Sequence, residues 1–251
     1  MQGDEMFKKK LVVLGVVFCL AFAGTAAAKT IVNGIDANYP PFAYVDKNGN
    51  PAGFDVDALN WIGKEMGFEV EHKPMEWSTI VQAVAANKID MVMSGMTITD
   101  ERKKQVNFSI PYWTVANVFV VRKDSDLTTE KIIASKGQVG YQAGTSDGKH
   151  LIEENEKEGW QLKLRQYDSA PQIIAEVING RIIAGEMNMT PAQDAIAKGK
   201  PVKIAGIYGV KEDFGVAIRH DDQELEQLIN EGLKRLMADP YWEELKAKHI
   251  K

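Results

Sequence analysis

The sequence predicts an α/β protein of two lobes, in which each lobe contains an open, mostly parallel β-sheet flanked by helices. Short apolar runs alternate with longer segments whose apolar residues recur at helical spacing, which is the pattern of βαβ units. This alternation occurs once over residues 31–94 and again over residues 138–205. No long low-complexity linker separates the two sets, so we expect extended crossings that act as a hinge between the lobes.

The N-terminal segment has the features of a secretory signal peptide. Three lysines, Lys8–Lys10, precede the short apolar run Leu11–Ala23, and small residues follow it. The run is too short to span a bilayer, so we expect cleavage after Ala28 and export of the mature chain. The only cysteine, Cys19, lies in this segment after Phe18, where a lipoprotein signal needs a small residue. Neither a disulfide nor a lipid anchor is therefore expected.

Composition and motifs argue against several classes of function. The formal net charge is −5, and removing the predicted signal, with three lysines and two acids, changes it to −6. An acidic chain is a poor candidate for binding nucleic acid or an anionic membrane. The four histidines have no metal-ligand spacing, and the sequence contains no P-loop, dinucleotide-binding turn or nucleophile elbow. We therefore expect no cofactor, no metal and no catalytic residue.

The first βα set begins with a predicted strand over Ile31–Ile35. In the loop Asp36–Phe42, two prolines exclude both helix and regular strand. Asn48–Gly49 is typical of a tight hairpin turn. Asp55 is interpreted as the N-cap of a helix that ends at Gly67, because a short acid favours the first position and glycine the last.

Two further strands and a helix complete this set. We predict a strand over Phe68–His72, a helix capped by Ser78 and a strand over Ile89–Ser94. A turn then leads to a second helix that begins at Thr99–Arg102, where a hydroxyl residue and two acids precede a cation. Because ligands bind at the carboxyl ends of strands in open parallel sheets, the loops after these strands are the candidate site.

The second set and the C-terminal region continue the pattern. Asp124–Glu130 is interpreted as a charged turn. The apolar faces of a helix around Leu225–Leu236 and of a last helix, Tyr241–His249, are expected to cover the first lobe. The other predicted elements are the strands 115–122, Gln138–Tyr141, Gln161–Gln166, Arg181–Met187, Pro201–Ala205 and Phe214–Arg219, and the helices from Thr145, from Asp168 and over Met189–Lys198.

The segment Ser94–Tyr112 contains the groups that a carboxylate requires. Gly95 exposes the backbone after a strand, N–H groups and a threonine hydroxyl follow, and Arg102 can bind a carboxylate through two parallel hydrogen bonds. From these residues alone, an alternative is that Arg102 is an exposed helix residue paired with Asp100 or Glu101.

Several stretches, in order and at consistent spacing, resemble the periplasmic solute-binding proteins of polar amino-acid ABC importers, which form family 3 of the bacterial solute-binding proteins. They are IDANYPPFAYVDKNGNPAGFDVD, MEWSTIVQAVAANKIDMVMSGMTITDERKKQVNFSIPY, YQAGTS and ADPYWEELKAK, together with the signal peptide. The resemblance covers Thr30–Lys248. It implies a two-lobed periplasmic-binding-protein fold of type II that closes on one amino acid and delivers it, as a monomer, to an ABC importer permease in the inner membrane.

The expected domain boundaries follow from this fold. The signal peptide occupies residues 1–28. Lobe 1 comprises residues 29–112 and 215–251, and lobe 2 comprises residues 117–211. Residues 113–116 and 212–214 are the expected hinge.

The resemblance also implies which residues bind the backbone groups of the ligand. Arg102 and Thr97 would bind its α-carboxylate, and the carbonyl of Gly95 would accept a hydrogen bond from its α-ammonium. On the second lobe, N–H groups at Thr145 and Ser146 would bind the carboxylate from a helix N-terminus. Capping of that helix is the other interpretation of these two residues.

The ligand side chain would lie between two aromatic residues. The resemblance assigns Tyr39 and Trp77 to this role and Asp36 to a polar or cationic side chain. One position departs from the pattern: Asn188 replaces the aspartate that usually pairs with the α-ammonium. An amide can accept a hydrogen bond but cannot neutralise the charge, and Glu186, two residues earlier on the same strand face, could compensate.

These residues favour arginine or lysine as ligand, with glutamine next, and Glu76 and Gln142 are weaker candidates for the specificity shell. Two alternatives remain open at this stage. One is an enzyme on the same fold that resembles cyclohexadienyl dehydratase, with Glu186 as general acid. The other is a binder of a non-amino-acid organic anion, which would tolerate Asn188. A sensor role would use the same site.

Overall fold

The computed structural model describes residues 29–250, so the predicted signal peptide lies outside the described residues. The strands are β1 (Thr30–Asp36), β2 (Asn38–Tyr39), β3 (Ala43–Val45), β4 (Pro51–Ala52), β5 (Glu69–Met75), β6 (Met91–Val92), β7 (Asn107–Phe108), β8 (Trp113–Arg122), β9 (Gln138–Gln142), β10 (Lys163–Tyr167), β11 (Ala184–Asn188), β12 (Val202–Phe214) and β13 (Ala217–Ile218). The helices are α1 (Phe54–Met66), α2 (Trp77–Ala85), α3 (Thr129–Ala134), α4 (Ser146–Lys157), α5 (Ala170–Ile178), α6 (Met189–Ala197), α7 (Gln223–Ala238) and α8 (Tyr241–His249).

Two five-stranded sheets form the framework, and both are mostly parallel. The first has the order β5-β1-β6-β13-β7, in which only β13 runs against the other strands. The second has the order β10-β9-β11-β8-β12, in which only β8 runs against the others. A small antiparallel sheet, β2-β3-β4, follows β1. The predicted α/β architecture is confirmed.

The strands β8 and β12 connect the two sheets. They are antiparallel over their whole length, from the pair Val202–Arg122 to the pair Phe214–Trp113, with irregularities between. Phe214 also forms a bridge to Thr97, in the loop after β6. Two extended chains therefore run from the second sheet into the core of the first, as predicted.

The core of the first lobe is built around aromatic residues and is covered by the last two helices. Phe42 and Phe54 are fully buried, and their rings meet at 6.1 Å in an edge-to-face arrangement. Helices α7 and α8 pack on α1, with Trp242 of α8 against Phe54 at 5.1 Å. The side chains of Lys248 and His249 at the end of α8 also bond to Asp57 in the first turn of α1. The C-terminal helices thus complete the first lobe, as expected.

Three of the predicted helix beginnings are wrong. The N-cap of α1 is Gly53, because Asp55 lies within the first turn and its side chain bonds elsewhere. Ser78 does not cap α2, because the helix already begins at Trp77, whose ring is buried in the same cluster as Ile80. The helix predicted at Thr99–Arg102 is only one 3₁₀ turn, since β7 begins a few residues later.

The charged segment after β8 contains a helix that the sequence did not predict. α3 begins after Thr128, whose hydroxyl accepts a hydrogen bond from the N–H of Lys131 at 3.4 Å. Its six residues include one fully buried apolar side chain, Ile132, so it shows little helical periodicity. Among the described residues, no helix has both the length and the apolar character needed to span a bilayer.

Gly53 allows the chain to enter α1, and its replacement by alanine tests this role. Its φ is +131°, and an added Cβ would lie 2.2 Å from the carbonyl oxygen of Phe42, which accepts a hydrogen bond from the N–H of Asp55. We expect Gly53→Ala to lower the free energy of unfolding by about 2–4 kcal/mol, because it strains the backbone and disrupts the hydrogen bond between Asp55 and Phe42.

Gly67→Ala is the matched control for this substitution. Gly67 also has a positive φ, +81°, but an added Cβ would meet no atom within 4 Å. Urea denaturation should show a loss of only about 1 kcal/mol there. Equal losses for the two variants would mean that the contact with Phe42 is unimportant.

Candidate functional site

All nine residues predicted for the ligand site line one cavity between the two lobes. Its predicted lining residues are Asp36, Tyr39, Trp77, Gly95, Thr97, Arg102, Thr145, Ser146 and Asn188. They come from the ends of β1, β2 and β11, the loop after β6 and the N-termini of α2 and α4. The carboxyl ends of the parallel strands thus converge here, as open α/β sheets require.

Arg102 is buried and contacts both sides of the cavity. Its Nη1 donates to the carbonyl of Thr97 at 2.8 Å, and its Nη2 donates to the carbonyl of Gly144, on the other lobe, at 3.1 Å. The guanidinium lies 5.5 Å from the centre of the Trp77 ring. Burial lowers the pKa of Arg102, but an arginine remains charged in proteins. The alternative of an exposed surface residue is wrong, because only 8% of Arg102 is exposed.

Thr145 caps helix α4, and Ser146 is its first residue. The Thr145 hydroxyl accepts a hydrogen bond from the N–H of Gly148 at 3.1 Å and donates to the carbonyl of Gln142 at 2.8 Å. Capping therefore accounts for its side chain. The first N–H groups of a helix have no partner within it, so the N-terminus of α4 still offers donors to an anion in the cavity.

Glu212 of β12, which the sequence did not single out, lies between the two lobes. Its Oε2 accepts hydrogen bonds from the hydroxyl of Thr97 at 3.5 Å and from the hydroxyl of Ser146 at 3.3 Å. Burial and the carboxylate of Asp147 raise its pKa. Glu212 was not predicted as a site residue, because it lies in the predicted crossing between the lobes and not in a loop at the end of a strand.

Asp36 forms a polar contact between the lobes. Its Oδ1 accepts from the N–H of Asn38 at 2.9 Å, and its Oδ2 accepts from the amide of Gln142 at 2.9 Å. Burial raises its pKa, which the two hydrogen bonds partly oppose. Gln142 lines the cavity, as its weaker assignment anticipated. Glu76 is exposed and is not among the lining residues.

Tyr39 and Asn188 join the lobes at the other side of the cavity. The phenol of Tyr39 donates to Oδ1 of Asn188, and Nδ2 of Asn188 donates to Oδ1 of Asn117 at 2.6 Å. Both ends of the Asn188 amide therefore have partners. Tyr39 also packs against Gly95, where an added Cβ would lie 2.5 Å from the tyrosine ring. Asn117 was not predicted, since it occurs within an otherwise apolar strand.

Two buried acids of the second lobe complete the lining. Glu186 is fully buried, and neither of its carboxylate oxygens has a hydrogen-bond partner in the described part of the chain. Asp147, in the first turn of α4, is 6% exposed. Burial raises the pKa of both acids, and for Glu186 the neighbouring Asp147 raises it further. Asp147 was not predicted as a site residue, because acids are common in the first turn of helices.

Asp55 does not cap a helix, and its side chain instead bonds to groups next to the cavity. Its Oδ2 accepts from the N–H of Gly95 at 2.6 Å and from the phenol of Tyr112 at 2.9 Å. These bonds fix the backbone of Gly95, which lines the cavity. Complete burial raises the pKa of Asp55 from 3.8 to about 7.

This shift predicts how stability depends on pH. Because the folded state holds the proton of Asp55 more tightly than the unfolded state, the contribution of this group is complete below about pH 4 and is lost as the pH rises through about 7. We expect the stability of the wild-type protein, relative to Asp55→Asn, to fall over this window by up to about 1.4 kcal/mol per pH unit. Urea denaturation of both proteins from pH 4 to 8 measures the difference, and a constant difference would contradict the prediction.

Comparisons with known proteins agree with this architecture. The family model described as "Bacterial extracellular solute-binding proteins, family 3" matches residues 31–251. The arginine-binding extracellular protein ArtP of Bacillus subtilis (strain 168) is 31% identical over 255 residues, which cover 96% of this chain and 97% of the relative.

Two solved structures have the same fold. An ancestral arginine-binding protein bound to arginine superposes with a TM-score of 0.81 at 33% identity, covering 88% of this chain and 98% of the other. The ancestral amino acid-binding protein AncCDT-1, described as a precursor of cyclohexadienyl dehydratase, has a TM-score of 0.80 at 34% identity, covering 88% and 96% of the two chains. The predicted two-lobed fold of periplasmic-binding-protein type II is confirmed.

Proposed function

Because the chain belongs to family 3 of the bacterial extracellular solute-binding proteins, we propose that it captures a basic amino acid between its lobes and delivers it to an ABC importer. Arginine or lysine is the favoured ligand, and glutamine is next. Relatives whose printed names describe arginine-binding proteins support a basic amino acid, and arginine in particular. The site itself supports it through the contacts described below.

The position of Arg102 carries the proposal. A buried guanidinium that contacts backbone carbonyls of both lobes can turn two donors toward a carboxylate between them. The hydroxyl of Thr97 and the N-terminus of α4 approach the same volume. A carboxylate held in this way touches both lobes at once, so its binding favours the closed arrangement over the open one.

The chemistry of the remaining walls favours a cationic side chain. Tyr39 and Trp77 supply aromatic faces, and a desolvated cation on such a face gains about 2 kcal/mol. Asp36 lies at the same cavity and can act as counter-ion once its bond to Gln142 is exchanged. An aliphatic side chain would bring no positive charge to offset this buried carboxylate.

The domain assignment supports a hinge mechanism. In this proposal residues 29–112 and 215–251 form lobe 1, residues 117–211 form lobe 2, and residues 113–116 and 212–214 are the hinge. The pairs Asp36–Gln142 and Tyr39–Asn188 then lie across the cleft, and each has one partner in either lobe. Closure makes these bonds and opening breaks them.

The proposal extends to location and partners. Residues 1–28 direct export and are removed, the mature protein acts as a monomer in the periplasm, and its partner is the permease of an ABC importer. No nucleic acid takes part. A relative named as an extracellular arginine-binding protein supports the location.

We propose binding without chemical turnover. The buried acid Glu186 is the observation that would favour a dehydratase, and one structural neighbour is described as a precursor of such an enzyme. That neighbour is itself described as an amino acid-binding protein. Purified protein is expected to leave prephenate and arogenate unchanged, and turnover that disappears in Glu186→Gln would establish the enzyme instead.

Titration calorimetry with the twenty amino acids tests the proposed function. Arginine is expected to bind most tightly, lysine and glutamine more weakly, and leucine not measurably. Absence of binding to every amino acid would overturn the proposal. Tight binding of an organic anion without an ammonium group would replace it with the anion-binding alternative.

A further inference from the structure

The usual partner for a ligand α-ammonium is missing at position 188. Asn188 cannot neutralise a positive charge, and its amide is already bonded to Tyr39 at one end and to Asn117 at the other. Turning Asn188 toward a ligand would break both of these bonds. The site therefore needs another group to compensate the ammonium.

Asp147 and Glu186 are buried acids that line the same cavity as Arg102. In an α-amino acid the ammonium and the carboxylate are attached to the same carbon, so the two groups bind side by side. The carboxylate position is marked by Arg102, and Asp147 lies in the first turn of α4, whose N-terminus faces the same cavity. Glu186 lines the same cavity and is the neighbour of Asp147.

The side chain of Glu186 lies beside another acid, Asp147, and among the described residues it has no N–H or hydroxyl group as its partner. Both of its oxygens are buried without a hydrogen-bond donor among residues 29–250. A buried carboxyl group without donors lowers stability unless a ligand supplies them. An ammonium supplies three donors and a positive charge, which is what this side chain lacks.

We propose that Asp147 and Glu186 form the subsite for the α-ammonium group of the bound amino acid. This inference rests on the proposed function and names the residues that bind the ammonium. It divides the cavity into three parts: Arg102 binds the carboxylate, the pair Asp147 and Glu186 binds the ammonium, and Asp36 with the two aromatic residues binds the side chain.

The balance of charge in the cavity agrees with this division. Among the described residues that line it, Asp36, Asp147 and Glu186 are the acids and Arg102 is the only cation. A basic amino acid brings two cationic groups and one carboxylate, and so reduces the excess of acids. Without the ammonium, the pair Asp147 and Glu186 would stay uncompensated in the closed cleft.

A pair of ligands that differ only in the ammonium tests the proposal. δ-Guanidinovalerate is arginine without its α-amino group. Wild-type protein is expected to bind arginine more tightly than this analogue in titration calorimetry. Glu186→Gln should weaken arginine binding at least about 10-fold and leave the analogue within about threefold, because only arginine loses a charged partner. Glutamine preserves the shape of the side chain, and the substitution replaces one carboxylate oxygen by an amide nitrogen and so removes the negative charge.

Two further variants serve as a second test and as a control. Asp147→Asn should have the same selective effect, which covers the case in which Glu186→Gln fails to fold. Glu156→Gln, at an exposed position of the same helix α4, should change neither affinity. Thermal melts of all variants monitor folding.

The possible results distinguish failure of the ammonium subsite from failure of the proposed function. Equal weakening of both ligands, or unchanged arginine binding in the folded variants, would overturn the ammonium subsite while leaving the proposed function intact. If the wild-type protein bound no amino acid, the proposed function would fail first.

Discussion

Replacing Arg102 by glutamine is expected to weaken arginine binding about 100-fold or more. Removing one partner of a buried, hydrogen-bonded charge pair costs about 2–5 kcal/mol. Arg102 is the buried cation at the point where both lobes meet, and no second arginine or lysine is among the described residues that line the inner cavity. The ligand carboxylate would therefore lose its only counter-ion.

Titration calorimetry measures this effect, with Lys103→Gln as the control. Lys103 is exposed in the same 3₁₀ turn and pairs with Asp100 at 3.6 Å, away from the cavity. Its replacement removes the same charge and should change affinity by less than about twofold. A decrease of less than threefold for Arg102→Gln would contradict the carboxylate clamp.

The largest loss of stability is expected for Phe42→Ala. Phe42 is fully buried, and its ring lies 5.2 Å from that of Phe214, 5.7 Å from that of Tyr39 and 5.8 Å from that of Trp113. Deleting a buried phenylalanine ring costs about 3–5 kcal/mol, because the cavity left behind closes only partly. The stacked ring of Tyr39 would also lose its support, so arginine binding should weaken as well.

Urea denaturation followed by tryptophan fluorescence measures the loss. Ile207→Ala is the control, since 61% of Ile207 is exposed and its removal should cost less than about 0.5 kcal/mol. A loss below 1 kcal/mol for Phe42→Ala would show that this aromatic cluster does not hold the first lobe together.

Much of the fold was predictable because the sequence repeats a local pattern. The apolar runs predicted most strands of both sheets, although not the two-residue strand β7, and Gly67 ends α1 in the left-handed conformation that glycine adopts most easily. The errors have a common cause. The predicted caps Asp55 and Ser78 are polar residues next to helix starts, but their final roles depend on tertiary contacts: Asp55 bonds to Gly95, forty positions away.

The candidate site could be predicted where a residue type and a strand end coincide. Arg102 is such a case, since it follows a predicted strand end and Gly95, whereas Tyr39 and Trp77 were implied by the resemblance to the family. Glu212 and Asp147 could not be recognised, because one lies in a crossing strand and the other in a helical turn where acids are ordinary. What distinguishes them is burial beside other acids, and burial arises only when the lobes assemble.

The pairing of α7 and α8 with α1 has a consequence for the order in which the chain folds. The second sheet is formed by residues 113–214, so all of its strands are available once that segment has been synthesised. The core of the first lobe needs Leu233, Leu236 and Trp242, which come last. Contacts so distant in sequence form slowly. A chain that ends before α7 would expose Phe54 and Ile62 to solvent, and we expect such a nascent chain to depend on chaperones until its final helices emerge.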